Sequence, residues 1–150
     1  KLAPQERGYA FEKFLTALFN AFGLHPRSPF RLVGEQIDGS IEFEGSTYLI
    51  EAKWQSALVG NAELLALHGK VGGKATWSRG IFISYAGFSE DGLEAFARGR
   101  PTNLIAVSGQ DLYFVLDGGM PLEQMIRLKS RRAAEEGRTY VPVQELLIGN

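Results

Sequence analysis

The chain has 150 residues, of which 45% are hydrophobic and 22% charged, a composition typical of one folded domain with a sizeable core. It contains no cysteine, which excludes a disulfide framework and a thiolate metal site and fits a reducing, cytoplasmic location. No apolar run approaches the ~20 residues of a membrane-spanning helix, and the net charge of −1 is not that of a strongly basic nucleic-acid binder.

The first half of the chain predicts a helix followed by antiparallel strands. Apolar residues recur at helical spacing over residues 4–23, and this stretch ends on a glycine. A short strand is expected over residues 30–33. Residues 37–43 alternate between apolar and polar, residues 44–46 have the composition of a hairpin turn, and residues 47–54 form the returning strand.

The second half predicts helices that alternate with short buried strands. Ser89 and Ser108 each precede a helical pattern and are expected to cap it. The expected helices cover residues 61–77, 89–99, 108–115 and 121–134, the expected strands cover residues 80–85 and 104–107, and residues 141–147 form an apolar tail that packs on the rest. Strand–helix–strand units favour parallel pairing, whereas the hairpin is antiparallel.

These elements predict an α/β protein with a mixed β-sheet flanked by helices. Their order begins αβββαβ, and no repeat or linker interrupts them, so we expect one domain over residues 1–150. The chain begins with Lys1 rather than methionine, and we therefore expect the domain to be excised from a longer protein.

The stretch from Gln36 to Gln55 has the most chemical content. Alternate side chains of a strand point to opposite faces, so Glu51, Lys53 and Gln55 share one face while apolar neighbours occupy the other. The hairpin brings Asp38 of the paired strand close to this polar face. Two carboxylates ~5 Å apart repel by roughly 3 kcal/mol at an effective dielectric of about 20, so such a pair needs a neutralising cation.

Each part alone has an ordinary structural explanation. Asp38 is followed by glycine, which is a common turn pair, a Glu-x-Lys triplet is usually a solvated strand face, and Glu12 on a helix is usually a surface residue. The combination instead favours a divalent-metal site with oxygen ligands, in which Lys53 helps to neutralise the carboxylates. The expected ligands are Asp38, Glu51 and the backbone carbonyl of Ala52.

Such a site would hydrolyse a phosphodiester bond. The metal can polarise the phosphoryl oxygen and acidify a bound water, while Lys53 can contact the phosphate or orient the attacking water. Glu12 would reach the metal or its water shell if the first helix packs against the hairpin. Gln55 would order a water or contact the backbone of the substrate.

Asp38 followed by Glu51-Ala52-Lys53 resembles the PD-(D/E)xK nuclease motif, although Ile37 stands where the motif has proline. The wider chain is similar to the Mrr-like, or type IV, branch of restriction endonucleases, and the similarity covers most of the chain. The segments that carry it are Gly8-Tyr9-Ala10-Phe11-Glu12, Ile37-Asp38-Gly39, Tyr48-Leu49-Ile50-Glu51-Ala52-Lys53, and Gly80-Ile81-Phe82-Ile83-Ser84 leading to Gly87-Phe88-Ser89.

The resemblance implies a restriction-endonuclease-like core and Mg²⁺-dependent DNA cleavage, with Mn²⁺ as a substitute. It implies that Asp38, Glu51 and Lys53 are the catalytic set, with Glu12 as an accessory acid. Domains of this kind also serve as effector modules of larger antiphage or repair proteins, so a fused or separate recognition domain is expected. Because two strands must be cut, a homodimer is also expected. The alternative is a catalytically silent nuclease-fold module that binds nucleic acid or a partner protein.

Several basic residues lie outside this motif. Lys70, Lys74 and Arg79 could contact nucleic-acid phosphates, although a solvated helix face is an equally good explanation. The glycines around Lys70 resemble a phosphate-binding loop only faintly, because their spacing is one residue short and a predicted helix precedes them instead of a strand. Nucleotide binding is therefore not expected. A basic run formed by Arg127, Lys129, Arg131 and Arg132 is either a DNA-backbone patch or an ordinary helix face that counters Glu135 and Glu136, and the second explanation is slightly favoured.

Overall fold

A computed structural model describes residues 3–26, 31–33, 36–74, 78–98 and 101–148 of the chain. The strands in these residues are β1 (Arg31–Val33), β2 (Gln36–Phe43), β3 (Ser46–Lys53), β4 (Ser78–Ser84) and β5 (Leu104–Ser108). The helices are α1 (Pro4–Ala21), α2 (Asn61–Gly72), α3 (Glu90–Ala97), α4 (Gly109–Leu116), α5 (Leu122–Glu136) and α6 (Val143–Ile148). None of these helices combines the length and the apolar character needed to cross a bilayer.

The strands form one five-stranded sheet in the spatial order β1-β2-β3-β4-β5. β1, β2 and β3 pair antiparallel, whereas β3, β4 and β5 pair parallel. A two-residue turn joins β2 to β3, and φ is positive at both of its residues, 49° at Glu44 and 80° at Gly45, as a tightly twisted hairpin requires. The α/β class and the mixed sheet predicted from the sequence are confirmed.

Each face of the sheet carries its own layer of helices. The larger core lies between one face and helices α1, α4, α5 and α6, and it takes alternate strand residues such as Ile37, Ile50 and Ile83. The smaller core lies between the opposite face and helices α2 and α3, and it includes Leu67 and Phe82. Because side chains alternate along a strand, the residues that follow Ile37 and Ile50 in the chain face α2.

Helix α2 packs closely over β4 because residue 80 is glycine. A Cβ atom at Gly80 would lie 2.5 Å from Leu104 and 2.9 Å from Val71 of α2, so the position has no room for a side chain. The start of α2 is also fixed, since Val59 forms a parallel bridge with Phe88 between the loops that follow β3 and β4. These contacts determine where the two ends of α2 lie above the sheet.

Two predicted boundaries are wrong in ways that affect the site. Helix α2 ends at Gly72 rather than continuing to residue 77, because consecutive glycines weaken its last turn; residues 75–77 lie outside the described residues. Strand β3 ends at Lys53, one residue before its predicted end.

Other local predictions are confirmed. Ser89 and Ser108 each accept a backbone N–H bond from the first turn of the helix that follows, at 3.0 and 3.1 Å. The apolar tail predicted over residues 141–147 packs into the larger core, and most of it forms helix α6. Phe30, the expected first residue of β1, lies outside the described residues.

A buried ion pair joins α5 to the start of α4. The ammonium of Lys129 lies 2.9 Å from Asp111 and donates to the Val141 carbonyl at 2.7 Å, and both charged side chains are 1% exposed. Asp111 also accepts the backbone N–H groups of Ser108 and Val143. Burial lowers the pKa of Lys129, and the Asp111 carboxylate opposes that shift.

The basic run over residues 127–132 is therefore not one solvated face, and the prediction is wrong at Lys129. The two arginines that follow Ser130 do pair as expected, with Glu135 and Glu136, at 3.1 and 2.9 Å.

Replacing Lys129 by Met should lower the free energy of unfolding by about 3–5 kcal/mol, because it leaves the Asp111 carboxylate buried without its partner. Urea denaturation followed by circular dichroism measures the loss. The matched control is Arg131→Met, which removes an exposed ion pair between residues one helical turn apart. This variant should lower the free energy of unfolding by less than about 1 kcal/mol. Equal losses in the two variants would contradict the role assigned to the buried pair.

Candidate nuclease site

The two carboxylates singled out in the sequence face each other across the hairpin. Asp38 and Glu51 are directly opposite partners in the register of β2 and β3, and they are called the acid pair below. Opposite residues of antiparallel strands have Cβ atoms about 4.5–5.5 Å apart. Both side chains leave the sheet on the α2 face, because their neighbours Ile37 and Ile50 point into the larger core.

Glu51 is the buried member of the acid pair. Only 3% of its surface is exposed, whereas Asp38 is half-buried. Desolvation raises the pKa of Glu51 above its ordinary value of 4.5, the charge of Asp38 adds to the rise, and Lys70 opposes it with a hydrogen bond and its charge. A buried carboxylate beside a second carboxylate is stable in its ionised form only when a positive charge lies close by.

Lys70, in the last turn of α2, supplies this positive charge. Its ammonium lies 3.1 Å from an oxygen of Glu51 and 3.8 Å from an oxygen of Asp38. The Lys70 side chain is 48% exposed, so its charge reaches the acid pair from the solvent side. The sequence predicts that Lys53 helps to neutralise the acid pair, whereas in the structure the ammonium in contact with both carboxylates is that of Lys70.

Lys53 lies on the same strand face as Glu51 but pairs with a different carboxylate. Its ammonium is 3.2 Å from one oxygen of Glu63, and the other oxygen of Glu63 accepts the backbone N–H of Gly60 at 2.9 Å, at the start of α2. Lys53 is therefore held between the end of β3 and the first turn of α2. Helix α2 contacts the site at both of its ends, through Glu63 and through Lys70.

Two glutamines flank the site in different ways. Gln36 is the register partner of Lys53, and its amide donates to Asp38 at 3.2 Å, which orients that carboxylate. Gln55 lies beyond the end of β3, where its amide donates to the Ala57 carbonyl at 3.4 Å. Because β3 has already ended, strand alternation does not determine the face of Gln55, and its place beside Glu51 and its contact with substrate stay predictions.

Two other expected site residues are not in contact with the acid pair through their side chains. Ala52 is buried on the opposite face, so only its carbonyl could serve as a ligand, and that role stays a prediction. Glu12 lies in α1, which packs on the larger-core face, and it accepts a hydrogen bond from Thr16 at 2.8 Å. Among the described residues Glu12 forms no ion pair or hydrogen bond with the acid pair, and its catalytic role also stays a prediction.

The remaining basic residues of the sequence prediction, Lys74 and Arg79, form no ion pair with the acid pair among the described residues. Lys74 is exposed just beyond α2. Arg79 is the register partner of Tyr48, three residues along β4 from the register partner of Glu51, which is about 10 Å at about 3.3 Å per residue, and it lies on the opposite face of the sheet. The structure therefore does not bring Arg79 to the acid pair, and nucleic-acid contacts of Lys74 and Arg79 stay predictions.

The acid pair has the chemistry of a site for a small divalent cation. Its oxygen atoms share one face, and they already attract a cation in the form of the Lys70 ammonium. In the described part of the chain no group of three or more Asp, Glu or His side chains is arranged to hold a metal. This is compatible with Mg²⁺, which proteins often bind through one or two carboxylates together with waters and substrate phosphates.

Sequence reasoning missed Glu63 and the position of Lys70, although the spacing of these two residues in the predicted helix was visible in the sequence. Glu63 is the third residue of α2, where a carboxylate commonly reaches back to the backbone at the helix start. Lys70 follows seven residues later and therefore lies on the same side of the helix. The pattern predicts one charged helix face, but not which strand residues that face meets.

A cavity of about 950 Å³ lies on the opposite side of the sheet from the acid pair. Its lining is largely aromatic and includes Phe11, Trp54, Tyr85 and Tyr113. Trp54 follows Lys53 in the chain, so the cavity and the acid pair share the end of β3 but open on different faces. The polar site is therefore separate from this apolar cavity.

The sequence matches a family model described as restriction endonuclease, of the Mrr catalytic type, over residues 4–116. The chain belongs to this family of restriction endonucleases. The match runs from α1 to the end of α4 and includes the acid pair, Lys53 and Lys70. The restriction-endonuclease-like core predicted from the sequence is confirmed.

The chain is also similar to one solved structure. It is the MspJI restriction endonuclease in complex with a 27-mer oligonucleotide, with a TM-score of 0.45 and 12% sequence identity. The similarity covers 96% of this chain and 36% of that chain, so the present chain spans about a third of its length. No curated protein matches the sequence.

Glu51→Gln should raise the free energy of unfolding of the metal-free protein at neutral pH by on the order of 1 kcal/mol, because it removes a buried charge. The folded-state pKa of Glu51 lies above 4.5, so the destabilisation is present at neutral pH and is lost as the pH falls through that folded-state pKa. The gain should therefore shrink in acid. Urea denaturation in EDTA at neutral and mildly acidic pH measures both effects.

The control for this experiment is Glu94→Gln, because the Glu94 side chain is 72% exposed and lies on α3, away from the acid pair. It should change stability little at either pH. A Glu51→Gln protein that is less stable than wild type at neutral pH would contradict the electrostatic cost assigned to Glu51.

Proposed function

We propose that this chain is a metal-dependent endodeoxyribonuclease domain that hydrolyses DNA phosphodiester bonds in restriction or antiphage defence. The observation that carries the proposal is the acid pair, directly opposed on neighbouring strands with Lys53 on the same strand face. Membership in the restriction endonuclease family supports the nuclease class. The acid pair and Lys53 are the residues at which we expect the hydrolysis to occur.

Asp38, Glu51 and the Ala52 carbonyl would hold Mg²⁺, for which Mn²⁺ should substitute. When bound, the ion would supply Lewis-acid stabilisation of the phosphoryl group and activation of water. The chain itself contributes a fixed distance between the two carboxylates, since both lie in the paired part of the hairpin. Gln36 contributes the orientation of Asp38 through its amide hydrogen bond.

Lys53 would bring its ammonium to the phosphate and to the attacking water, where it stabilises the negative charge that develops in the transition state. Glu63 is its positioning residue and holds the ammonium at the end of β3 until a phosphate competes for it. Gln55, in the loop after β3, would contact the substrate backbone. Glu12 would act on the water shell as an accessory acid.

DNA would approach the side of β2 and β3 that carries the acid pair, Lys53 and Lys70. Exposed basic residues such as Lys74 would contact phosphates, which positions the duplex without reading its sequence. Base specificity would come from a fused or separate recognition domain. Cleavage of both strands would use a homodimer with two copies of the site.

A catalytically silent nuclease-fold module, binding nucleic acid or a partner protein, is the second candidate function. The observation that favours it is the contact of Lys70 with the acid pair, which neutralises the carboxylates without a metal. A Mn²⁺ titration followed by thermal denaturation distinguishes the two. A bound ion stabilises the folded state by about 2.7 kcal/mol at 100 times its dissociation constant, whereas the stability of a silent module would not change.

Lys53→Ala should reduce the cleavage rate by at least about 100-fold, because the variant loses an ammonium aimed at the transition-state charge. The measurement is nicking and linearisation of plasmid DNA in Mg²⁺ or Mn²⁺, with EDTA expected to stop the wild-type reaction. Circular dichroism checks that the variant is folded.

Lys13→Ala is the matched control, because it removes an exposed lysine from α1 and should leave the rate unchanged. If Lys53→Ala cut DNA at the wild-type rate, the role proposed for Lys53 would be wrong.

A further inference from the structure

The ammonium of Lys70 lies where a divalent ion shared by the acid pair would have to bind. It is 3.1 Å from Glu51 and 3.8 Å from Asp38. A lysine ammonium and Mg²⁺ are both compact cations that take oxygen partners, so they are alternatives for the same carboxylate atoms. They cannot share those atoms, because two cations at such a short distance repel strongly.

We infer that Lys70 is a displaceable counter-ion, which occupies the acid pair before the metal binds and moves to the DNA backbone when the metal enters. This inference rests on the proposed metal-dependent function and adds a step to it. It makes Lys70 a positioning residue that couples metal binding to DNA binding.

The two lysines of the site differ in the freedom that such an exchange needs. The Lys70 side chain is 48% exposed at the end of α2, on a flexible four-carbon stem. The Lys53 side chain is 19% exposed, and its partner Glu63 is fixed by a second bond to the backbone of Gly60. Lys70 can therefore leave its partners for solvent, whereas Lys53 is confined between strand and helix.

The carboxylates, by contrast, stay in place when Lys70 leaves. The Glu51 side chain is 4% exposed and the Asp38 side chain 31% exposed, and both lie on paired strands. Loss of the ammonium would leave Glu51 buried and uncompensated, so departure of Lys70 requires that another cation arrives. Release of Lys70 and entry of the metal are therefore one exchange rather than two independent events.

The exchange predicts that metal and DNA bind cooperatively. Metal entry releases the Lys70 ammonium, which can then contact a phosphate near the site. Conversely, a phosphate that captures Lys70 removes the competitor of the metal. Coupling between two ligands is reciprocal, so each should increase the affinity for the other by the same factor.

The first test is the affinity for Mn²⁺ without DNA, measured by isothermal titration calorimetry. Lys70→Met keeps most of the apolar stem but removes the competing charge, and it should bind Mn²⁺ at least about fivefold more tightly than wild type. Lys13→Met is the control, because it removes an exposed lysine of α1 that forms no ion pair with the acid pair among the described residues. Its Mn²⁺ affinity should stay within about twofold of wild type.

The second test is the salt dependence of binding to a short DNA duplex, with Lys53→Met as the background to prevent cleavage. With Mn²⁺ present, adding Lys70→Met should reduce the slope of log affinity against log salt by about one, because one phosphate contact is lost. Without metal the slope should not change, since Lys70 is then held by the carboxylates. Thermal denaturation checks folding, and Lys70→Gln replaces Lys70→Met if the latter does not fold.

The outcomes separate this inference from the proposed function. If wild type binds Mn²⁺ and Lys70→Met binds it no more tightly, the exchange is wrong while metal-dependent function stands. If only Lys70→Met binds Mn²⁺ without DNA, the counter-ion role is supported, and the proposed function is overturned if the Lys53→Met protein also fails to bind Mn²⁺ when the duplex is present. If neither protein binds Mn²⁺, both are overturned.

Discussion

The carboxylate of Glu51 has almost no solvent around it and stands directly opposite a second carboxylate, and this placement constrains what packs on that side of the sheet. The hairpin register imposes it, since a slip of one residue would turn Asp38 to the other face. An ionised pair in this position needs a cation at all times. In the present structure the cation is Lys70, and in the proposed reaction it would be Mg²⁺.

Helix α2 packs in the smaller core with one side and contacts the site with another. Its apolar side, with Leu64, Leu67 and Val71, packs in the smaller core with Phe82. Its charged side places a carboxylate near the end of β3 and an ammonium near the acid pair. The close packing that Gly80 permits fixes this helix over β4. Core packing and electrostatic balance of the site therefore depend on the same helix–sheet contact.

Local patterns were sufficient to predict the hairpin and the pairing of Asp38 with the strand of Glu51, because alternation and turn composition determine strand faces and register. They could not predict which lysine meets which carboxylate, because that depends on how α2 lies across the sheet. The burial of Lys129 was missed for the same reason: Arg127 and Arg131 flank it two residues away, while its partner Asp111 is on another helix.

Anomalous diffraction from a crystal soaked in Mn²⁺ tests the metal site most directly. We expect one Mn²⁺ peak at coordinating distance from oxygens of both Asp38 and Glu51, with the Lys70 ammonium moved away from the acid pair. A crystal at saturating Mn²⁺ that shows no anomalous peak there, and keeps Lys70 between the two carboxylates, would contradict the metal-dependent mechanism.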